Sequence, residues 1–282
     1  MSSKPSFSLG RALSAAFAFL PAGVGGAFAP LLVLWGLLSF GHTILFHLVR
    51  GGAFLVDNDC NLLICGGFAL LVLVAKLMAQ GALYRVGAFG KDARKEGLGP
   101  FGLQFGAPEL RLLAANILIG LFFLVVALAI FIVLAVAFNS SGLAGDEHNS
   151  LRALRTVFCR HEGADWIFIV YIVAAWIFLA FLTIRFALAH AATVAQRKIV
   201  ALNALGLSSG NVFKLFAGVF LFILPLALVI VFVVHHLMPA LPHGARIAVH
   251  AGLLAFGIFG IFPLIAGFLS SAYRQIVDLR AR

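Results

Sequence analysis

Histidine is the side chain in this sequence best suited to hold a metal ion, and its nine copies are unevenly placed. All except His190 lie at or near the same ends of the long apolar segments, so they would share one side of the molecule. Imidazoles that converge from different segments could bind zinc or copper. The ligands would come from His42, His47, His235, His236 and His250. Because no local ligand spacing such as HExxH is present, the alternative is that these rings are amphipathic residues at a membrane surface.

Three cysteines could carry redox chemistry. Cys60 and Cys159 lie in polar segments expected on that same side, where thiols can be oxidised. A disulfide between them is one of two open possibilities, and two free thiols are the other. Cys65 would remain unpaired in either case, since an odd number of cysteines cannot pair completely.

Charged side chains are costly inside a lipid bilayer. A charged residue in an apolar segment therefore indicates either a functional role or a side chain that reaches the membrane surface. Lys76 and Arg185 both fall inside apolar segments. Each could be a buried functional charge, or it could snorkel along its long stem to the membrane surface. No Asp or Glu falls within the six apolar segments defined below, which argues against a proton pump built on a buried carboxylate.

No nucleophile, base and orienting residue can be assembled on one side of the chain. Ser208 and Ser209 precede Gly210, but this run is typical of a helix cap rather than of a nucleophile elbow. The glycine-rich run at 97–100 lacks the preceding strand that a dinucleotide fingerprint requires. We therefore predict no catalytic residue and no cofactor.

The elements that must position these residues are membrane helices. Of 282 residues, 63% are hydrophobic and 11% are charged, and the mean hydropathy is +1.10. A soluble domain is about 45–50% apolar and about 25% charged, so this composition excludes a soluble enzyme and a disordered chain. Six apolar segments have the length that crosses a bilayer, at 24–49, 62–83, 112–138, 166–190, 212–234 and 247–269. Because they do not alternate with period two, they predict an all-α bundle rather than a barrel.

The first 22 residues are predicted to form a separate element before the six-span domain at 23–282. Residues 5–20 are largely apolar and end just before Pro21, so we expect a short helix that lies in the membrane surface. Its lipid-facing residues would be Phe7, Leu13, Phe17 and Leu20.

The six spans pair into three helical hairpins, each preceded by a glycine and a nearby basic residue. Before the second hairpin, Gly106 can cap the helix, Pro108 suits its first turn and Glu109 complements its dipole. Before the third hairpin, Ser209 or Asn211 can cap. The repeated pattern indicates either an ancient triplication or the ordinary requirements of any helix that enters a membrane.

Lysine and arginine set the orientation of the bundle, because cytoplasmic loops of membrane proteins carry more of them. With both termini on one side, that side holds 14 of the 20 basic residues and the other side holds five. We therefore predict that both termini are cytoplasmic. The basic residues are spread singly among apolar segments, so the net charge of +10 indicates anionic lipid rather than nucleic acid.

The segment before the fifth span resembles a recurring segment of bacterial six-span membrane proteins. It consists of a small-residue helix at 185–192, then serines, the pair Gly210-Asn211 and an aromatic-basic-Leu-Phe run at 213–216. Similar segments occur in the YciC-like proteins and in the membrane domains attached to some glycerophosphodiester phosphodiesterases. The resemblance implies a bundle in the bacterial inner membrane and supplies no catalytic residues.

Small residues in the sixth span predict a packing surface. Gly257, Gly260 and Gly267 recur at helical spacing, so one stripe of the helix is nearly bare backbone. Such a stripe allows a second helix to approach closely in lipid. The second helix could be another span of this chain or part of a second copy.

These patterns predict a non-enzymatic membrane protein that acts by association, organising or assisting a membrane or envelope complex. Its partners would be membrane lipids, a second copy or another membrane protein. The alternative is a transporter or channel for a small solute such as a metal ion or a lipid, which a buried polar track would favour. The weaker alternative is an enzyme acting on lipid headgroups, which a carboxylate–histidine cluster around a headgroup-sized cavity would favour.

Overall fold

The computed structural model describes helices and no strands over residues 7–50, 58–140 and 165–281, with side chains described for 7–41, 64–136, 170–242 and 244–279. The α-helices are α1 (Leu9–Gly26), α2 (Phe28–Arg50), α3 (Asn58–Phe89), α4 (Ala107–Ser140), α5 (Asp165–Phe186), α6 (Ala189–Ala195), α7 (Ala204–Leu207), α8 (Val212–Phe232), α9 (His243–Ala255) and α10 (Phe262–Ala281). Two π-helical turns, Val233–Leu237 and Phe256–Ile261, follow α8 and join α9 to α10.

The prediction of an all-α polytopic bundle is confirmed. By length and composition, six helical stretches within the described residues could cross a membrane: Leu9–Gly26, Ile64–Arg94, Pro100–Val136, Val170–Ala195, Val212–Ala240 and Gly244–Leu279. The last five overlap the predicted second to sixth spans. The predicted first span at 24–49 corresponds to α2, whose described apolar part is Phe28–Gly41. Helices form here because a backbone in lipid must satisfy its own hydrogen bonds.

Helix α1 has the length of a span, but both of its ends lie at the same end of the bundle. Just before it, the Ser8 N–H donates to Oε1 of Gln275 at 3.0 Å, near the end of α10. At its other end, Gly26 lies against the side chain of Val86, near the end of α3. The helix therefore packs across one end of the bundle, and it extends past the predicted end of the segment 5–20, through Pro21 to Gly26. Its location in the membrane surface stays a prediction.

The residues that α1 buries differ from the prediction. Phe7 was expected to face lipid, yet it is only 1% exposed, and its ring lies 6.2 Å from that of Phe268. Ala12 and Ala16 are fully buried, because α1 packs against α3 and α10 rather than resting on the surface. Phe17 remains exposed, as expected.

Among the other long helices that the structure describes, α2 packs on α3, α4 on α5 and α8 on α10. Two hydrogen bonds join spans, the first between α5 and α4 and the second between α2 and α9. The Tyr171 hydroxyl donates to the carbonyl of Ile130 at 3.0 Å, and the Trp35 indole N–H donates to the carbonyl of Ala251 at 2.9 Å. The neighbours agree with three hairpins.

The packed core lies at one end of the bundle, which we call the basic end. It comprises the last turns of α3, residues 90–111, residues 185–214 and the last turns of α10. Small residues of α6, such as Ala189 and Ala192, are fully buried there and let the helices approach closely. Basic residues gather at this end: Arg85, Lys91, Arg94, Lys95, Arg111, Arg185, Arg197, Lys198, Lys214 and Arg274.

Candidate functional site

A buried ion pair joins α3 to α4 at the basic end. Arg85 is 1% exposed and Glu109 is fully buried, and Nη2 of Arg85 donates to Oε1 of Glu109 at 2.5 Å. The other carboxylate oxygen of Glu109 accepts the Gly106 N–H at 2.8 Å, which caps α4. Glu109 thus lies in the first turn of α4, as predicted, and it also compensates a buried cation.

Gly81 makes room for this ion pair. It lies one turn before Arg85 in α3, and a Cβ atom built on it would collide with Oε1 of Glu109. A glycine in the middle of a helix costs about 1 kcal/mol relative to alanine, so it indicates a close approach. Here the group that approaches is the Glu109 carboxylate.

A pocket of about 390 Å³ opens beside the ion pair, between α3, the start of α4 and α6. Arg197 closes one side of it, since its guanidinium pairs with Glu96 and lies 5.9 Å from the centre of the Phe89 ring. The Thr193 hydroxyl already has hydrogen-bond partners, because it donates to the Val200 carbonyl and accepts the Val200 N–H. The lining residues are Arg85, Phe89, Lys95, Glu96, Pro108, Arg111, Thr193, Val194 and Arg197.

A smaller cluster of polar side chains lies further along α4. One ring nitrogen of His190 lies 2.9 Å from Oδ1 of Asn116, and the ring stacks on Tyr84 with centroids 6.1 Å apart. This contact connects α3, α4 and α6. His190 was expected at the opposite end of the bundle from the other histidines, and the structure places it near the basic end.

The two charges predicted inside apolar segments have different positions. Lys76 is exposed on α3, so the structure supports its reaching outward rather than a buried site. Arg185 is half-buried, and its Nη2 donates to the carbonyl of Leu205 at 2.7 Å. Its guanidinium also lies 5.7 Å from the centre of the Phe181 ring. Arg185 therefore ties α5 to α7.

Asn211 does not cap α8 with its side chain, contrary to one of the predicted alternatives. Its Oδ1 instead accepts the Phe7 N–H at 3.3 Å, and Nζ of Lys214 donates to the Phe7 carbonyl at 3.0 Å. Asn211 is 1% exposed, so this contact is buried. The segment that shows the family resemblance holds the chain just before α1.

The predicted metal ligands are only partly described. His235 and His236 are exposed in the π-helical turn after α8, and His250 is half-buried in α9. No group of three His, Cys, Asp or Glu residues suited to a metal ion occurs within the described part of the chain. His42 and His47 lie outside the described side chains, so the proposed set that includes them stays a prediction.

The predicted disulfide also lies outside the described side chains, since neither Cys60 nor Cys159 is among them. Cys65 is a free, half-buried thiol in α3. This agrees with the expectation that Cys65 is unpaired.

Within this chain, the glycine stripe of the sixth span does not pack as one surface, and contact of the stripe with a second copy stays a prediction. Only Gly267 meets another helix, where an added Cβ would lie 2.6 Å from Cδ1 of Phe19. Gly257 faces open space, and the nearest side chain to Gly260 belongs to its own helix. Gly257 and Gly260 lie within the π-helical turn Phe256–Ile261, which interrupts the α-helical spacing between them and Gly267.

No family model, curated protein or solved structure matches this chain. The resemblance to YciC-like proteins and to the phosphodiesterase membrane domains therefore stays a prediction. The pocket was not anticipated, although one signal was available. A basic residue and an acidic residue, Arg85 and Glu109, stand at the two ends of the polar segment between adjacent spans.

Proposed function

We propose that this chain is a non-enzymatic, multi-pass membrane protein that acts by association, with the basic end as the surface that associates. The observation that carries the proposal is that buried polar side chains of the described residues gather at that end. Arg85, Glu109, Thr193, Ser208 and Asn211 are all buried there. A rigid, charged platform on an otherwise apolar bundle is suited to docking.

The location follows from the same charges. Cytoplasmic segments carry an excess of Lys and Arg, so we assign the basic end and both termini to the cytoplasmic side of a bacterial inner membrane. The partners would be lipids together with a second copy of the chain or another membrane protein. The proposed role is to organise or assist a membrane or envelope complex.

Transport is the alternative, and the composition of the spans does not favour it. In α4 no polar side chain follows Asn116 as far as Val136, and in α8 none follows Lys214 as far as Phe232. A hydrophilic solute needs polar groups along its whole route. The described parts of these two helices supply such groups only at the basic end.

An enzyme acting on lipid headgroups is less favoured still. General base catalysis needs a carboxylate or imidazole within reach of the reacting group. The one carboxylate that lines the pocket, Glu96, pairs with Arg197, and Glu109 pairs with Arg85. No histidine lines the pocket in the described part of the chain.

Photo-crosslinking in native membranes tests the proposal with two matched positions. Benzoylphenylalanine would replace Phe105, which is 46% exposed at the basic end, or Phe131, which is 64% exposed in the apolar part of α4. We expect a discrete protein adduct from position 105 and lipid adducts alone from position 131. Lipid adducts alone from both positions, or a protein adduct from position 131 alone, would contradict association through the basic end.

A further inference from the structure

The wall of the pocket at the basic end is cationic, and the groups that form it are the donors that bind phosphate oxygens. Three arginines and a lysine contribute to it. We propose that this pocket binds a phosphate group, presented either by a lipid headgroup or by a small soluble phosphate. The inference deepens the proposed function, because it names the chemistry that the basic end recognises.

Arg85 supplies the first argument, because its donors are incompletely used. Its Nη2 is bonded to Glu109, while Nε and Nη1 are buried and have no hydrogen-bond partner among the described residues. Buried N–H groups of a charged side chain without partners are costly, so such groups usually indicate a missing acceptor. Arg85 forms part of the pocket wall, and an oxyanion with several acceptor oxygens could satisfy these donors.

The charge balance of the pocket supplies the second argument. Three of its cations have carboxylate partners: Arg85 has Glu109, Lys95 has Asp92 and Arg197 has Glu96. Arg111 has no ion-pair partner among the described residues. The pocket therefore holds one uncompensated positive charge, and a phosphodiester carries one negative charge.

The volume of the pocket and its position in the bundle restrict the kind of phosphate compound that it can bind. A volume of about 390 Å³ is near the lower limit of ligand pockets, so it suits a phosphate with a short alcohol rather than a nucleotide. Pro108 places the start of α4 beside the pocket. Next to Arg111, Leu110 is 54% exposed, so an apolar surface adjoins the charged one.

Thermal unfolding of the purified full-length protein in detergent tests the proposal, because a ligand that binds the native state raises the unfolding temperature. The probes are inorganic phosphate, phosphatidylglycerol and, as a phosphate-free lipid, diacylglycerol. Stabilisation by phosphatidylglycerol alone would assign the site to a lipid headgroup, and stabilisation by inorganic phosphate as well would assign it to phosphate itself. No stabilisation by either, or equal stabilisation by diacylglycerol, would overturn the proposal.

Two arginine variants locate the binding. Arg111→Gln removes the uncompensated charge and should require about tenfold more probe for the same stabilisation, since one charge-assisted hydrogen bond is lost. Arg274→Gln removes an exposed arginine of the same end that does not line the pocket, and it should behave as the wild type. Equal weakening by both variants would show a diffuse surface effect and overturn the assignment.

If Arg111→Gln does not fold, Lys95→Gln removes another cation of the pocket wall, at a residue whose side chain is 82% exposed, and should also weaken the stabilisation by the probe. The titration needs no protein partner, so its failure is distinct from failure of the crosslinking experiment. Phosphate binding without a protein adduct would overturn association alone. A protein adduct without phosphate binding would overturn the pocket assignment alone.

Discussion

At Arg85 and Glu109, two opposite charges are buried together in a chain with few charges. Taking ions out of water costs several kcal/mol each, and their attraction repays this only when the geometry is good. Here the Glu109 carboxylate also accepts a hydrogen bond from the Gly106 N–H, and Gly81 leaves space for it because it has no side chain. The ion pair therefore depends on the absence of a Cβ atom at position 81.

Gly81→Ala tests this dependence. The added Cβ would displace the Glu109 carboxylate from Arg85, and overpacking of this kind costs about 1–3 kcal/mol. The measurement is the free energy of unfolding in detergent. Gly120→Ala is the matched control, since nothing lies within 4 Å of its added Cβ and alanine should stabilise the helix slightly. A Gly81→Ala protein as stable as the Gly120→Ala protein would place Glu109 elsewhere.

At the scale of elements, α1 is held at its start by a contact that joins distant parts of the chain. Asn211 and Lys214 hold the two backbone groups of Phe7, and the Phe7 ring packs on Phe268 of α10. The first turn of α8 therefore positions α1. A second element-scale feature is the π-helical turn Phe256–Ile261, which interrupts the α-helical spacing between α9 and α10.

Asn211→Ala should release the start of α1. The substitution leaves the buried Phe7 N–H without an acceptor, which costs about 1–3 kcal/mol. Hydrogen exchange should then become faster over residues 9–20, by at least about tenfold. Ser209→Ala, two residues away, is the control and should leave α1 protected. If both variants exchange like the wild type, the Asn211 contact does not hold the helix.

At the scale of the whole molecule, the basic residues and the packed core share one end, while the described spans beyond it expose apolar side chains. Exposed examples are Val125, Phe131 and Val136 of α4. Such a surface is suited to lipid tails, and the charged end is suited to headgroups and water. The asymmetry defines an orientation as well as a binding surface.

Cysteine labelling in whole cells tests the orientation. In a chain whose native cysteines are replaced by alanine, Lys91→Cys at the basic end should react only with a membrane-permeant reagent. Gly244→Cys, at the start of α9 on the opposite end, should react with an impermeant reagent as well. Both residues are exposed, so access differs only by side. Labelling of Lys91→Cys from outside would invert the orientation.

The helical class, the approximate bounds of the spans and the end at which the charges gather can all be predicted from the amino-acid sequence. They can be predicted because lipid requires about 20 apolar residues per crossing and requires the backbone to bond within its own helix. The first-turn position of Glu109 followed from the same local rules, since a helix start favours an acidic residue.

Which residues contact one another depends on the tertiary structure. Arg85 and Glu109 are 24 residues apart, and Phe7 and Asn211 are 204 apart, so no local pattern joins them. The tertiary structure also separates Gly267, which packs on Phe19, from Gly257, which faces open space. In a soluble helix the apolar stripe marks the core, but in a membrane both the packed face and the lipid face are apolar. Hydrophobic periodicity therefore cannot distinguish the packed face of a membrane helix from its lipid face, and only the contacts in the folded chain identify the packed face.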